Sequence, residues 1–179
     1  MVEKINEADI IEQLNVAPSV RGFFIAAVNI FEKSIDSLVQ RIFRSDYLAV
    51  KAVINPLLES SGPLGDLSVR IKLLFGLGVI PDDVYHDIET IIRLRNQLNK
   101  DGAEYRFTDP NILDSIHKIS AFKKMGIFQL APALIDDKEI DATLYQLQLD
   151  RQQQVIKSSL SLAIVEICNK LNVESPFTT

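Results

Sequence analysis

The chain of 179 residues has no tryptophan, one cysteine and two histidines. A lone cysteine, Cys168, excludes an internal disulfide and any cysteine-rich zinc site. His86 and His117 supply too few ligands for a metal centre, so neither a metal nor another cofactor is expected. Glycine and proline are scarce at seven each, which argues against a turn-rich all-β fold. No stretch of about 18 residues is free of charge, so no membrane-spanning helix is expected. The N-terminus, Met1-Val2-Glu3-Lys4-Ile5-Asn6, lacks the apolar run of a secretory signal, and the cytoplasm is the expected location. Positive charge is in deficit: 19 Lys and Arg stand against 24 Asp and Glu, a net of −5. Residues 1–90 hold 8 basic and 13 acidic side chains, and residues 91–179 hold 11 of each. Neither half is a basic module, which excludes nucleic-acid binding by bulk charge.

Hydrophobic periodicity is abundant, and it is helical. From Val20 through Phe24, Ala27, Phe31, Ile35, Leu38 and Ile42 the apolar positions step by three and four, the stripe of one long amphipathic helix over about 18–44. Pro18 suits its first turn, and Arg41 and Arg44 suit its C-terminal end. A second segment starts at Asp46, and Pro56 should kink or end it. Ser61-Gly62-Pro63-Leu64-Gly65-Asp66 then reads as a loop and a helix start, with Ser61 or Gly62 as cap. The helix from Leu64 to Leu77 is apolar most of the way round and is expected to be the central buried helix. Gly76 and Gly78 close it, and Pro81 opens the next, which carries Asp82, Asp83 and Asp87 early and Arg93 and Arg95 late, the order the macrodipole favours.

Residues 99–108 form a polar loop around Asp101-Gly102, and Asp109-Pro110 reads as cap and first position of a helix reaching Phe122. Residues 123–142 are the least regular, a long loop with a short extended piece at 127–130. Thr143 is expected to cap a last helix over 143–171, polar at Gln152, Gln153 and Gln154 and apolar toward its end. The expected architecture is all-α: one domain over residues 1–179, about seven helices, two of them long.

No catalytic constellation emerges. His86, Asp87 and Glu89 sit close together but fit a solvated helix face. His117 fits an ordinary boundary position, and Cys168 a buried, inert thiol. Arg93, Arg95 and Asn96 lie against the 99–108 loop and admit two readings: a dipole-complementing pair at a helix end, or a small polar pocket for an anion or a phosphate. Arg70, Arg93, Arg95, Asn96 and Asp101 are therefore the candidate functional or anion-binding residues. A helix-turn-helix placed over 46–77 fails, because its second helix offers only Ser68, Arg70 and Lys72 to a groove. The basic groupings, Arg41 with Arg44, Arg70 with Lys72, Arg93 with Arg95, and Lys118 with Lys123 and Lys124, are dispersed. Direct DNA binding is expected to be weak or absent.

Several motifs carry a family likeness. Arg44-Ser45-Asp46-Tyr47-Leu48, the run Ser61-Gly62-Pro63-Leu64-Gly65-Asp66-Leu67-Ser68-Val69-Arg70, Gly76-Leu77-Gly78, Asp101-Gly102 and Phe107-Thr108-Asp109 resemble the bacterial mannitol operon repressor family. The likeness spans most of the chain. It implies an all-helical regulator of a sugar-alcohol uptake operon, without a recognisable DNA-binding motif, that represses through another transcription factor or regulatory protein. A homodimer is one assembly open to it. One branch similar in fold is treated as enzymatic, so a small helical enzyme built on Arg93, Arg95 and Asn96 is the alternative. Arg95-Asn96 is also similar to the opening of the arginine–asparagine–spacer–histidine motif of small helical ribonucleases. Lys100 or Asp101 stands where the histidine is expected, and lysine, with an ordinary pKa of about 10.4, shuttles protons poorly at neutral pH. Gly62, Pro63, Gly65 and Asp66 are expected to act structurally, through close backbone approach and a preset first turn.

Overall fold

The computed structural model describes residues 5–43, 48–126 and 141–172. Among these lie eight helices: α1 (Glu7–Asn15), α2 (Val20–Ile42), α3 (Leu48–Leu58), α4 (Leu67–Gly76), α5 (Asp82–Leu98), α6 (Pro110–Ile116), α7 (Ser120–Lys124) and α8 (Ala142–Leu171). The all-α expectation holds, and the two long helices sit where the stripes placed them. None of the helices is long and apolar enough to cross a membrane, among the described residues.

The core is organised around α2. Phe23, Phe24, Ala27, Ile30, Phe31 and Ile35 are all fully buried, so the helix is covered on most of its circumference. Helices α5 and α8 pack against it, α1 bridges α2 and α8, and α4 rests on α5 and α2. Phe107, from the loop before α6, meets Phe23 edge-on with ring centroids 5.4 Å apart. Each such fully buried aromatic contributes about 1.5–3 kcal/mol from removed apolar area. The C-terminal half of α8 is buried through Leu160, Ile164, Ile167 and Leu171, whereas residues 142–148 project past the core and are exposed.

Several expectations need correction. Helix α1 was not foreseen. It is short, and only Ile10 and Leu14 bury fully, a single i,i+4 pair that makes a weak periodic signal. The helix expected over 109–122 is two, α6 and α7, because the chain turns at His117–Ile119. The caps of α2, α4 and α8 are Ser19, Asp66 and Asp141, whose side chains accept from the N–H groups of Gly22, Ser68 and Thr143. Pro18 thus precedes the cap of α2, and Ser61, Gly62 and Thr143 are not caps. Pro56 lies within α3, which ends two residues later. Most consequential, α4 is not the central helix. Only Arg70, Ile71 and Leu74 bury, and Val69, Leu73, Phe75 and Leu77 face outward. Arg44, the extended piece at 127–130 and the rest of 127–140 lie outside the described residues.

Candidate functional site

Arg93, Arg95 and Asn96 do not converge on a pocket. Residues two apart on an α-helix diverge by about 200°, and here Arg93 is exposed and pairs with Glu89 one turn back, at 3.6 Å. Arg95 donates from Nε to the side-chain oxygen of Asn96 at 2.9 Å. The 99–108 loop is organised instead by Arg21, in the first turn of α2. Its guanidinium donates to the carbonyls of Leu98 (2.9 Å), Asp101 (2.8 Å) and Ala103 (2.7 Å). The signal in the sequence was a cation in a helix's first turn, where the macrodipole disfavours it. Asp101 accepts from the Ala103 N–H and the Tyr105 hydroxyl, and these hydrogen bonds, the tyrosine's above all, hold its pKa below the usual carboxylate value.

Arg70 is buried, and its donors are used. Nε bonds the Leu64 carbonyl, one terminal nitrogen reaches the carbonyls of Leu58 (3.0 Å) and Gly65, and the other pairs with Asp36 on α2. It laces the α3–α4 loop to the core, and an incoming anion would have to displace four partners. In the same loop the glycines meet the end of α3. A Cβ on Gly62 would stand 2.6 Å from the Leu57 carbonyl oxygen, and one on Gly65 2.5 Å from that of Glu59. Pro63 is exposed beside them, and Asp66 caps α4.

Asp87 departs from the solvated face expected of the His86–Glu89 stretch. It is buried, and its carboxylate accepts from the N–H groups of Ser120 (2.7 Å) and Ala121 (2.9 Å), capping α7 from a helix 33 residues away. Burial pushes its pKa up, partly offset by those two hydrogen bonds. His86 is exposed, with Asp82 at 3.4 Å. Cys168 is buried, and burial raises its thiol to about 11, which keeps it protonated and unreactive. Lys124 and Lys170 share Asp83 and Glu166 in an ion-pair cluster on α5, α7 and α8. Among the described residues no group of three His, Cys, Asp or Glu side chains could hold a metal.

Two surfaces stand out among the described residues. The first is apolar. Helix α3 has no buried residue, and it exposes Leu48 and Val53. On α4 and its C-cap, Val69, Leu73 and Leu77 are spaced by four and form an outward stripe, beside Phe75 stacked on Tyr85 at 4.5 Å. Exposed apolar side chains gathered on one face make a candidate interaction surface. The second is an open groove of about 250 Å³, lined by polar and apolar side chains alike, between the N-terminal half of α8, residues 17–20 and residues 105–107.

The fold defines the class: an all-helical protein that carries an exposed apolar stripe on one side. The mannitol repressor family model matches residues 6–172, and the chain belongs to that family. It is 40% identical to the mannitol operon repressor of Escherichia coli K12 over 174 residues, which are 96% of this chain and 85% of that protein. The X-ray structure of the MtlR–HPr complex from Escherichia coli superposes with a TM-score of 0.84 at 40% identity, covering 93% of this chain and 98% of that one. Fumarase E of Escherichia coli K12 is 26% identical over 93% of this chain and 97% of its own length. A possible transcriptional regulator, YggD from Shigella flexneri, shares the fold with a TM-score of 0.76 at 24% identity.

Proposed function

We propose that the chain represses a mannitol operon through contact with a protein partner of the HPr kind, with little direct contact to DNA. The observation that carries this is the match across nearly the whole chain to a repressor that has been crystallised with HPr. Two features support it. The stripe of Val69, Leu73 and Leu77 with the uncovered helix α3 gives a partner protein the desolvated contact that interface cores use. Several basic side chains are also spent on the protein itself: Arg70 is buried, Lys124 and Lys170 are paired, and Arg41 donates to the Leu171 carbonyl and the Asn172 side chain. The test is a calorimetric titration of the purified chain with HPr, beside a gel shift on the mannitol operator with and without HPr. A saturable titration and no shift by the chain alone support the reading. A tight, sequence-specific shift by the chain alone overturns it.

A second reading follows from the likeness to Fumarase E. Hydration of fumarate needs cations for two carboxylates and a placed acid and base, whereas Arg93 is paired with Glu89 and Arg95 with Asn96. Loss of the fumarate absorbance on adding the purified chain, abolished in Arg95→Ala, would establish it.

A further inference from the structure

We propose that helix α3 is a self-association surface, on which a second copy of this chain packs antiparallel about a two-fold axis through Asn55. Eight of its eleven residues are Leu, Ala, Val or Ile, and Lys51 is its one charge. A helix that apolar belongs against another surface. Yet α3 has no buried residue, no other helix packs along it among the described residues, and only Leu58, in its last turn, reaches the core. At eleven residues, with Pro56 inside, it is too short to hold itself in water.

The bonds that tie α3 to the rest of the chain lie at that end. The Leu57 carbonyl accepts from the Leu64 N–H at 2.8 Å, and the Leu58 carbonyl from Arg70 at 3.0 Å. The row Leu48, Ala52 and Pro56 is exposed along the length of the helix. A covering surface would therefore supply the packing that the helix lacks.

The pattern of the face is its own complement. Beside the apolar row, Lys51, Asn55 and Glu59 follow one another at intervals of four, and all three are exposed. Glu59 keeps its helical place, because its N–H bonds the Asn55 carbonyl at 3.1 Å. The cation and the anion stand four residues from Asn55, on opposite sides. A two-fold axis through Asn55 sets each Lys51 against Glu59 of the other copy. It also sets the two Asn55 amides, each both donor and acceptor, against each other. A partner charged with one sign would match half of this row and oppose the other half. An eleven-residue helix is about 16 Å long. One such helix and its loop from each copy cover no more than about 1,200 Å², the range of weak, reversible complexes. Two chains of net −5 also repel each other, so a dimer of micromolar order is expected.

Self-association is measured on the purified chain with neither HPr nor DNA present, so this proposal and the repressor reading fail separately. Sedimentation equilibrium over a range of about 1–500 μM should show monomer passing to dimer. Amide hydrogen exchange over α3 should slow as the dimer forms. Lys51→Glu and Glu59→Lys each bring like charges together twice, once on either side of the axis, and should each weaken the dimer by about tenfold or more. The double variant restores opposite charges and should associate within about threefold of the parent. All three variants change exposed positions and should unfold as the parent does at the lowest concentration. A chain monomeric throughout, single variants that associate as the parent does, or a double variant no tighter than the single ones overturns the proposal. So does protection of α3 that arises only on adding HPr, which would give the face to that partner.

Discussion

Arg70, buried on α4, pairs its guanidinium with the half-exposed carboxylate of Asp36 on α2 while closing the carbonyls of the α3–α4 loop. Replacing it with alanine strands the Leu64 and Leu58 carbonyls and leaves Asp36 without its partner. The expected cost is about 2–4 kcal/mol, mostly from the unsatisfied carbonyls rather than the solvent-screened ion pair. Lysine should rescue little, because one ammonium cannot span acceptors arranged around a planar fork. Urea unfolding of both variants checks this, and a lysine variant as stable as the parent would contradict it.

The Gly62 and Gly65 positions allow the loop to fold back on the end of α3. A methyl group at either would collide with main-chain atoms of residues 56–60, which cannot swing aside as a side chain can. Gly62→Ala and Gly65→Ala are each expected to lower stability by about 1–3 kcal/mol through overpacking. The unfolding midpoint reads this directly, and a midpoint equal to the parent's would show that the loop yields.

Helices α2, α5 and α8 were legible because each buries a stripe that repeats over many turns, and the family motifs were legible because they are local strings. Gly62 and Gly65 lie in one of those strings, and a Cβ on either would meet the backbone of residues 56–60. What escaped depends on partners distant in sequence. Asp87 has the look of an acidic residue near a helix start, and nothing local says that it caps α7. Arg70 was grouped with Lys72 as a basic patch, yet one is buried and the other exposed. Helix α4 misled because apolar residues all round a helix signify burial or an outward docking stripe alike, and composition does not separate the two. The amide run in α8 was visible as a polar interruption, but the groove forms only where the 105–107 loop folds over it.

Asp87 gives a pH dependence with a definite sign. Burial raises its folded pKa above the ordinary 3.8. Between those two values the folded state binds more protons than the unfolded, so stability falls as pH rises through that window and is level above it. Asp87→Asn does not titrate there. It also sets an amide N–H against one of the two backbone donors, at an expected cost of about 1–3 kcal/mol. The gap between parent and variant in urea midpoint should therefore narrow as pH is raised from below the ordinary value toward neutrality. A widening gap would mean that the bonds to Ser120 and Ala121 outweigh burial.

The outward stripe of α4 makes a prediction for the partner. Leu73→Glu and Leu77→Glu place a charge on exposed positions, where stability should change by no more than about 0.5 kcal/mol. In a desolvated contact the same charge is expensive. Both variants are expected to lose HPr binding by tenfold or more in calorimetry while unfolding as the parent does. Full affinity in both would move the docking site off α4.

The last prediction concerns salt. A protein that neutralises six phosphates shows a slope near −5 when the logarithm of its affinity is plotted against that of salt, about −0.9 for each phosphate. Here Arg70 is buried, Arg93 faces Glu89, Lys124 and Lys170 face Asp83 and Glu166, and Arg41 donates to the end of α8. Those that are exposed, such as Lys72 and Lys118, sit on separate helices or turns. Each phosphate contact would then have to break an existing pair or reach across to another part of the surface. The chain alone is expected to bind DNA weakly, with a slope no steeper than about −2, equivalent to one or two phosphates. Adding HPr should not steepen it if repression runs through protein contact. Filter binding across a salt series measures the slope, and a value near −5 for the purified chain would make direct operator binding the better account.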